Sequence, residues 1–218
     1  MPSPLAARGR MQTSSKKIAL VSRGLFTVGG SPTYGQATTA GNLAVCWVAS
    51  NGTLSIIGAG WIAATPINNN CMIYYKENIG ANESPPTINT FGSETYTQLA
   101  EFSVVTTNGA LDQSKTTGGT SPLAITNSAS ELSPSELIIY NGFWNGTNTG
   151  GIVSGAAITD GAGNSITPSV SSGVQQANQY YCFMFGIAST GLPTVADSAT
   201  ASLNVFSGGT CCIASFKP

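Results

Sequence analysis

The sequence has no histidine and few charged residues. Its 218 residues include eight Lys or Arg and nine Asp or Glu, so that 8% of the chain is charged against about 25% in an average soluble domain. The absence of histidine excludes His-containing zinc sites and the Ser-His and Cys-His pairs of nucleophilic catalysis. So few charges exclude a coiled coil and a highly charged disordered chain, and eight bases are too few for a broad nucleic-acid-binding face. Apolar runs are also too short for a membrane-spanning helix.

Charge is distributed unevenly along the chain. From Lys76 onward there are three bases and all nine acids, whereas the first 75 residues hold five bases and no acid: Arg8, Arg10, Lys16, Lys17 and Arg23. Residues 1–17 carry four of these charges with only scattered apolar residues, so they cannot form a core. They are followed by an apolar run of four residues, too short for a signal peptide. The segment is either a solvated tail or a docking arm, and we predict an extended basic arm without an export signal.

The rest of the chain has the pattern of an all-β protein. Short apolar or alternating segments such as 42–49, 71–77, 136–144 and 179–188 are bounded by Gly, Asn, Thr, Ser and Pro, and no helical periodicity extends over eleven residues. About ten strands with glycine-rich turns predict an antiparallel β-sandwich or barrel. We expect one domain over 18–218, with no internal repeat and with a long, partly ordered connection over 108–135.

Several motifs, in their order, resemble a family of phage and bacterial β-sandwich domains. The similarity rests on Gly41–Val48 (GNLAVCWV), Gly58–Trp61 (GAGW), Tyr74–Lys76 (YYK), Leu99–Ser103 (LAEFS), Leu111–Ser114 (LDQS), Ser135–Ile139 (SELII) and Ile213–Pro218 (IASFKP). Val104 stands where the family usually has glycine. The resemblance covers nearly all of residues 40–218 and implies a jelly-roll sandwich of the kind found in phage tail fibres, head fibres and capsid decoration proteins.

These observations together lead us to expect a capsid decoration (cement) protein, made in the host cytoplasm and placed on the outer surface of the phage head. We expect a homotrimer on the major capsid protein, with no enzymatic activity, no cofactor, no metal, and no nucleic-acid or membrane partner. The arm would then staple neighbouring capsid subunits, so the candidate contacts are the five N-terminal bases Arg8, Arg10, Lys16, Lys17 and Arg23. The alternative is a tail-fibre or head-fibre module that binds host-surface glycans.

Other chemistry is sparse in the sequence. Cysteine occurs five times without a CxxC pair (Cys46, Cys71, Cys182, Cys211 and Cys212). We expect a reducing compartment, with Cys46 and Cys182 as small buried apolar residues. Adjacent Cys211 and Cys212 are expected to face opposite sides of a strand, and a vicinal disulfide between them would be strained. The nine carboxylates are expected to be mainly solvated surface charges. The loop 160–164 offers one carboxylate and one amide, too few for calcium, and predicts a glycine-rich hairpin.

Two tryptophans are candidates for sugar or rim contacts. Trp61 lies at a predicted turn and Trp144 stands beside an Asn-Gly turn signal. Trp47 and the aromatic residues of the other apolar strands are expected in the core. The glycan-binding alternative therefore predicts that Trp61 or Trp144 is exposed.

Overall fold

The regular elements of the structure, a computed structural model, are β-strands. It describes residues 17–66, 70–91, 95–103, 106, 108–127, 135–146, 150–175, 178–188, 195–204 and 207–218. The strands assigned in these residues are β1 (Ala19–Arg23), β2 (Thr27–Val28), β3 (Leu43–Ser50), β4 (Thr53–Ile57), β5 (Ile62–Ala63), β6 (Cys71–Lys76), β7 (Thr87–Phe91), β8 (Thr95–Ser103), β9 (Leu111–Thr120), β10 (Leu123–Thr126), β11 (Leu137–Gly146), β12 (Val153–Thr159), β13 (Ser165–Ile166), β14 (Ser169–Gln175), β15 (Gln179–Ile187), β16 (Ser198–Leu203) and β17 (Ser207–Phe216). The described part of the chain holds no helix able to span a membrane.

The strands form four antiparallel sheets, two of them large. The inner N-sheet has the order β1-β8-β3-β6-β5, with β2 also paired to β8, and the inner C-sheet has the order β14-β15-β11-β17-β9. The outer N-sheet is the pair β4-β7, and the outer C-sheet has the order β10-β16-β12-β13. The all-β class and the antiparallel pairing predicted from the sequence are confirmed.

Three apolar clusters separate the sheets, so the sheets are stacked in four layers. In β3, Val45 and Trp47 belong to the central cluster between the two inner sheets, whereas Cys46 and Val48 belong to the cluster beneath the outer N-sheet. A third cluster lies between the inner and outer C-sheets. Because the inner sheets are covered on both faces, their strands need apolar residues at nearly every position, which explains the continuous apolar runs of the sequence.

The two halves of the chain repeat the same arrangement of strands. Before residue 104 the inner sheet has the order β1-β8-β3-β6-β5, and after residue 110 the order read from the other edge is β9-β17-β11-β15-β14. In the first half β8 lies between β1 and β3, and in the second half β17 lies in the same way between β9 and β11. The segments that follow β3 and β6 pair with each other as β4-β7, just as the segments that follow β11 and β15 pair as β12-β16. The strand order therefore repeats between the halves, although no repeat was visible in the sequence.

Strand register agrees between the halves, residue by residue. Val45 pairs with Ala100 and Tyr75, and Ile139 pairs in the same way with Ala214 and Phe185. A bulge follows Leu20 opposite Phe102 in the first half, and a bulge occurs between Phe216 and Ser215 opposite Leu111 and Gln113 in the second. Few residues are identical at matched positions, Leu43 and Leu137 among them, so the repeat is clear in the pairing and faint in the sequence.

The halves pack through the same face of each inner sheet. Phe102 and Phe185 meet edge to face with ring centroids 5.1 Å apart. Their counterparts in the repeat, Phe216 and Tyr75, also meet edge to face at 5.3 Å. Matched pairs of this kind are expected when two similar units associate through one patch about a twofold axis. The central core is therefore a pseudo-twofold interface inside one chain.

Two expectations about the strands need correction. The described residues contain more strands than the ten or so expected, partly because β2, β5 and β13 have two residues each. Within the predicted long connection 108–135, residues 111–126 are mostly strand, as β9 and β10. Since β9 is an edge strand with mainly Thr, Ser and Gly, it has no apolar pattern that would reveal it.

Candidate functional site

The predicted N-terminal arm meets the body of the protein at one edge of the inner N-sheet. Lys17 is exposed, and Ile18 is 4% exposed and belongs to the central core. Ile18 thus anchors the chain where β1 begins. Three of the arm's candidate contacts, Arg8, Arg10 and Lys16, lie outside the described residues.

Arg23 is partly buried and is bonded to other parts of the body, which does not favour its prediction as a capsid contact. Its Nε donates to Gln98 Oε1 at 2.9 Å, and its two Nη atoms donate to Ser169 Oγ at 3.0 Å and to Phe183 O at 3.3 Å. The guanidinium carbon also lies 5.6 Å from the centroid of the Trp47 ring. Burial lowers the pKa of Arg23 to about 10. The side chain therefore joins the two inner sheets through three of its five N–H groups.

The described carboxylates are buried or partly buried, so the prediction of mainly solvated surface acids is wrong for the four buried ones, Glu101, Glu136, Asp160 and Asp197. Seven of the nine acids are described, and none of the seven is in the exposed class. Glu101 is fully buried and accepts hydrogen bonds from Ser22 Oγ at 3.4 Å, from Thr39 N at 2.9 Å and from Asn42 Nδ2. The others in this set are Glu77, Glu83, Asp112, Glu136, Asp160 and Asp197.

The exposed charged residues in the described part of the chain are bases. Among the described charged residues, only Lys17 and Lys115 fall in the exposed class. Lys217 is 37% exposed on its side chain and lies 3.8 Å from Asp112, whose side chain is 4% exposed. An acidic partner surface could approach this body without meeting an exposed carboxylate on the described residues, although the formal net charge of the chain is −1.

Trp144 is a core residue, so its prediction as a rim or sugar contact is wrong. It is 0% exposed and packs in the cluster beneath the outer C-sheet with Leu123 and Leu203. The Asn-Gly signal that follows it is part of β11, at whose end Asn145 is exposed. A ring in this place cannot stack on a saccharide from solvent.

Trp61 is partly buried beside a glycine turn, so the residue is not closed off from the surface as Trp144 is. It packs against the cluster beneath the outer N-sheet. A Cβ atom at Gly58 would lie 2.8 Å from Trp61 Cδ1, and one at Gly60 would lie 3.1 Å from Lys76 Cε. Lys76 Nζ in turn lies 2.8 Å from Glu83 Oε1. We name Trp61, Lys76 and Glu83 the turn patch; it offers an aromatic surface beside a donor and an acceptor.

The hydrogen bonds of the turn patch also fix the charge of its acid. The hydrogen bond from Lys76 and a second one from the Gly80 amide hold the pKa of Glu83 below its ordinary value. A carboxylate that is ionised in this way accepts hydrogen bonds. The patch can therefore recognise hydroxyl groups, while nothing in it supplies a general base near neutral pH.

The loop 160–164 is a hairpin closed by its own carboxylate. Asp160 Oδ1 accepts hydrogen bonds from Ala162 N at 3.1 Å and from Asn164 N at 2.7 Å, and Gly163 has a φ of +83°. The oxygens that a cation would need are thus used by the turn, and the predicted glycine-rich hairpin is present. In the part of the chain that the structure describes, no group of three or more His, Cys, Asp or Glu could hold a metal.

The cysteines are all buried and free. Burial raises the pKa of Cys182 and of Cys211 to about 12, so both are neutral thiols at ordinary pH. Cys211 lies in the cluster beneath the outer C-sheet and Cys212 in the central core, which confirms that they face opposite sides of the strand.

A shallow depression of about 280 Å³ lies on the outer C-sheet. It is lined by Ala, Ile, Thr and Ser side chains of β10, β12 and β16, such as Thr126, Thr159 and Thr200. Such a lining offers hydroxyl groups and small apolar groups but no titratable group.

Comparison of the chain with protein-family models, with curated proteins and with solved structures found no match.

Arg23 and Glu101 are the residues whose roles the sequence reasoning missed. Each is a charged residue inside or at the end of an apolar strand pattern, and a fully buried charge is rare unless it is paired. That rule could have marked Glu101 as a buried acceptor. The partners of Arg23 come from β8, β14 and β15, so only the fold reveals them.

Proposed function

We propose that the chain is a tandem jelly roll, with one jelly roll in each half. In a jelly roll, whose eight strands are lettered B to I, the two sheets have the orders B-I-D-G and C-H-E-F. In the second half, β9-β17-β11-β15 follows the first order and β10-β16-β12-β13 follows the second. In the first half, β1-β8-β3-β6 follows the first order, and β7-β4 supplies the H-E pair of the second. The strand order thus supports the jelly-roll expectation twice over.

The proposed function is that of a phage virion protein, a decoration protein on the outside of the head. In this proposal the chain is made in the host cytoplasm, assembles as a homotrimer and docks on the major capsid protein. The basic arm runs from Lys17 across neighbouring subunits and staples them together. An arm of this type loses entropy when it orders, but it can contact a large surface.

The observation that carries the proposal is the basic arm, which is attached to a body without an exposed carboxylate among its described residues. The arm holds Arg8, Arg10, Lys16 and Lys17. Complementary charge steers association and suppresses wrong partners. A protein with this surface is suited to an acidic shell.

Cosedimentation with phage shells that lack the protein tests the proposal. The full chain is compared with a chain that lacks residues 1–17 and with a chain in which Arg8, Arg10, Lys16 and Lys17 are all changed to glutamine. We expect the full chain to cosediment and both variants to be lost from the pellet, because the first lacks the arm and the second lacks its charge. Binding of the full chain should also weaken as salt is raised, since exposed charges are screened.

Lys115→Gln is the matched control, because it removes one exposed charge from the body and leaves the arm intact. Urea unfolding of every variant shows whether the body remains folded. Full binding by the folded, truncated chain would overturn the stapling role of the arm. No binding by the full chain to any shell would overturn the decoration function itself.

The turn patch supports one alternative, a fibre module that binds host glycans. Its partly exposed Trp61 could stack on a sugar ring while Lys76 and Glu83 hydrogen-bond to hydroxyl groups. A glycan array compares the wild type with Trp61→Ala, and Trp61→Phe is the control that retains an aromatic ring. Binding that is lost in Trp61→Ala and largely kept in Trp61→Phe supports this function, and an array without hits for the folded wild type refutes it.

A further inference from the structure

Two cysteines from different halves of the chain meet in the central core. Cys71 lies in β6 of the inner N-sheet and Cys212 in β17 of the inner C-sheet, and their Sγ atoms are 3.3 Å apart. Both residues are 0% exposed. A disulfide has an S–S length of about 2.05 Å, so small movements of the two side chains would bring the sulfurs within bonding distance.

Neighbouring contacts hold the two thiols in position. Cys71 Sγ also lies 3.6 Å from the main-chain oxygen of Asn141, and Asn141 donates hydrogen bonds to two carbonyl oxygens of the opposite sheet. The cysteine pair occurs once and is not repeated by the pseudo-twofold symmetry. The residue that matches Cys71 in the other half is Tyr181, and the one that matches Cys212 is Gln98. Burial and the hydrogen bond to Cys212 raise the pKa of Cys71. The pair therefore remains a dithiol where no oxidant reaches it.

We propose that Cys71 and Cys212 are the site of a disulfide that joins the two halves of the protein through its core when a small thiol oxidant is present. No role in the virion is needed for this bond, so the inference stands apart from the proposed function. A link between residues so far apart in the chain would restrict the unfolded state strongly. It would make the body harder to unfold without changing its surface.

The chemistry balances with an azo oxidant such as diamide, a small, uncharged diazenedicarboxamide. The sulfur of one thiol adds to a nitrogen of the N=N bond, which forms an S–N bond, and the proton that this thiol loses ends on the other nitrogen. The second thiolate then attacks the first sulfur, so that the S–S bond forms and the S–N bond breaks. The departing nitrogen takes the second proton, and the azo compound leaves as a hydrazine that has gained two electrons and two protons.

The test begins with the full, reduced protein treated with diamide. Thiols that remain free are alkylated in denaturant, and a non-reducing digest is analysed by mass spectrometry. We expect the number of free thiols to fall from five per chain to three, with one linked pair of peptides that contain Cys71 and Cys212. The thermal midpoint should rise and return to its starting value after reduction with a phosphine.

Variants and a second route make the result decisive. Cys71→Ala and Cys212→Ala should each abolish the link and the rise in thermal midpoint, whereas Cys182→Ala, the matched buried control, should keep both. Refolding in a mixture of reduced and oxidised glutathione offers the pair an oxidant before the core closes. A link between Cys211 and Cys212, or no Cys71–Cys212 link by either route, would overturn the proposal.

Discussion

Asn141 provides a direct test of the interface between the two halves. It is fully buried and takes the place in the repeat that Trp47 has in the first half. Its Nδ2 donates to Val48 O and to Met72 O, each at 2.8 Å. One side chain of the second half thus hydrogen-bonds to two strands of the first.

The change Asn141→Ala removes both hydrogen bonds and leaves a small void. Each buried hydrogen bond contributes about 0.5–1.5 kcal/mol, and the lost packing adds about 1 kcal/mol. We therefore expect the free energy of unfolding to fall by about 2–4 kcal/mol, a large part of the 5–15 kcal/mol typical of a folded domain. Because the halves share one core, they should still unfold in a single transition.

Urea unfolding followed by tryptophan fluorescence measures this loss, which should move the midpoint by about 1 M. The matched control is Asn145→Ala, which changes an exposed residue of the same strand and should cost less than about 0.5 kcal/mol. A similarly small loss for Asn141→Ala would refute the argument that these hydrogen bonds join the halves.

The change Asn141→Asp probes the same contact through pH. A carboxylate cannot donate to the two carbonyl oxygens, so this variant should be less stable than Asn141→Ala at pH 7. Burial should raise the pKa of the new carboxyl group above its unfolded value of about 3.9. The loss of stability should therefore shrink as the pH falls toward that value and grow as it rises. A loss independent of pH would contradict this account.

Three further changes test other contacts. Arg23→Lys keeps the charge but loses the planar fork that joins the inner sheets, so urea unfolding should show a loss of about 1–2 kcal/mol; an unchanged stability with weaker shell binding would restore Arg23 as a capsid contact. Asp160→Ala removes the acceptor that closes the 160–164 hairpin, so the Asn164 amide should exchange with solvent faster, and unchanged exchange would contradict that role. Lys76→Met removes a partner that lowers the pKa of Glu83. At neutral pH the wild type should be more stable to unfolding than this variant by about 1 kcal/mol or less. The difference should disappear as the pH falls from the ordinary pKa of glutamate through the lowered pKa of Glu83. An advantage that persists well below that range would contradict this assignment.

The strands of the inner sheets could be predicted from the sequence because both of their faces are buried. The predicted strand 42–49 agrees closely with β3, Leu43–Ser50. The predicted strand 136–144 begins one residue before β11, Leu137–Gly146. The polar edge strand β9 could not be found in this way. Its stability comes from pairing with β17, which is contact with a distant part of the chain.

The candidate site was harder to predict, because the exposure of a side chain depends on which sheets are stacked over it, and the sequence does not show that stacking. Trp61 and Trp144 both stand next to turn signals, yet only Trp61 reaches the surface. Trp144 is covered by the outer C-sheet, and no local pattern shows that this extra layer exists. The repeat was missed for a related reason. The two halves agree in strand register and in the positions of their bulges, but most residues at matched positions differ, so the sequence does not show the likeness.

The repeat also explains why acids are buried in a chain that has so few charges. In the first half Asn42 donates to Glu101, which pairs with Ala44 in the ladder. In the second half the matched positions hold Glu136 and Ser215, with Ser215 paired to Ile138, and both are fully buried. Each half thus has one carboxylate at the start of β3 or β11, although Glu101 lies in β8 and Glu136 immediately precedes β11. Both halves therefore bury a carboxylate at the same junction of the repeat, and the donors Ser22, Thr39 and Asn42 give Glu101 a structural role there.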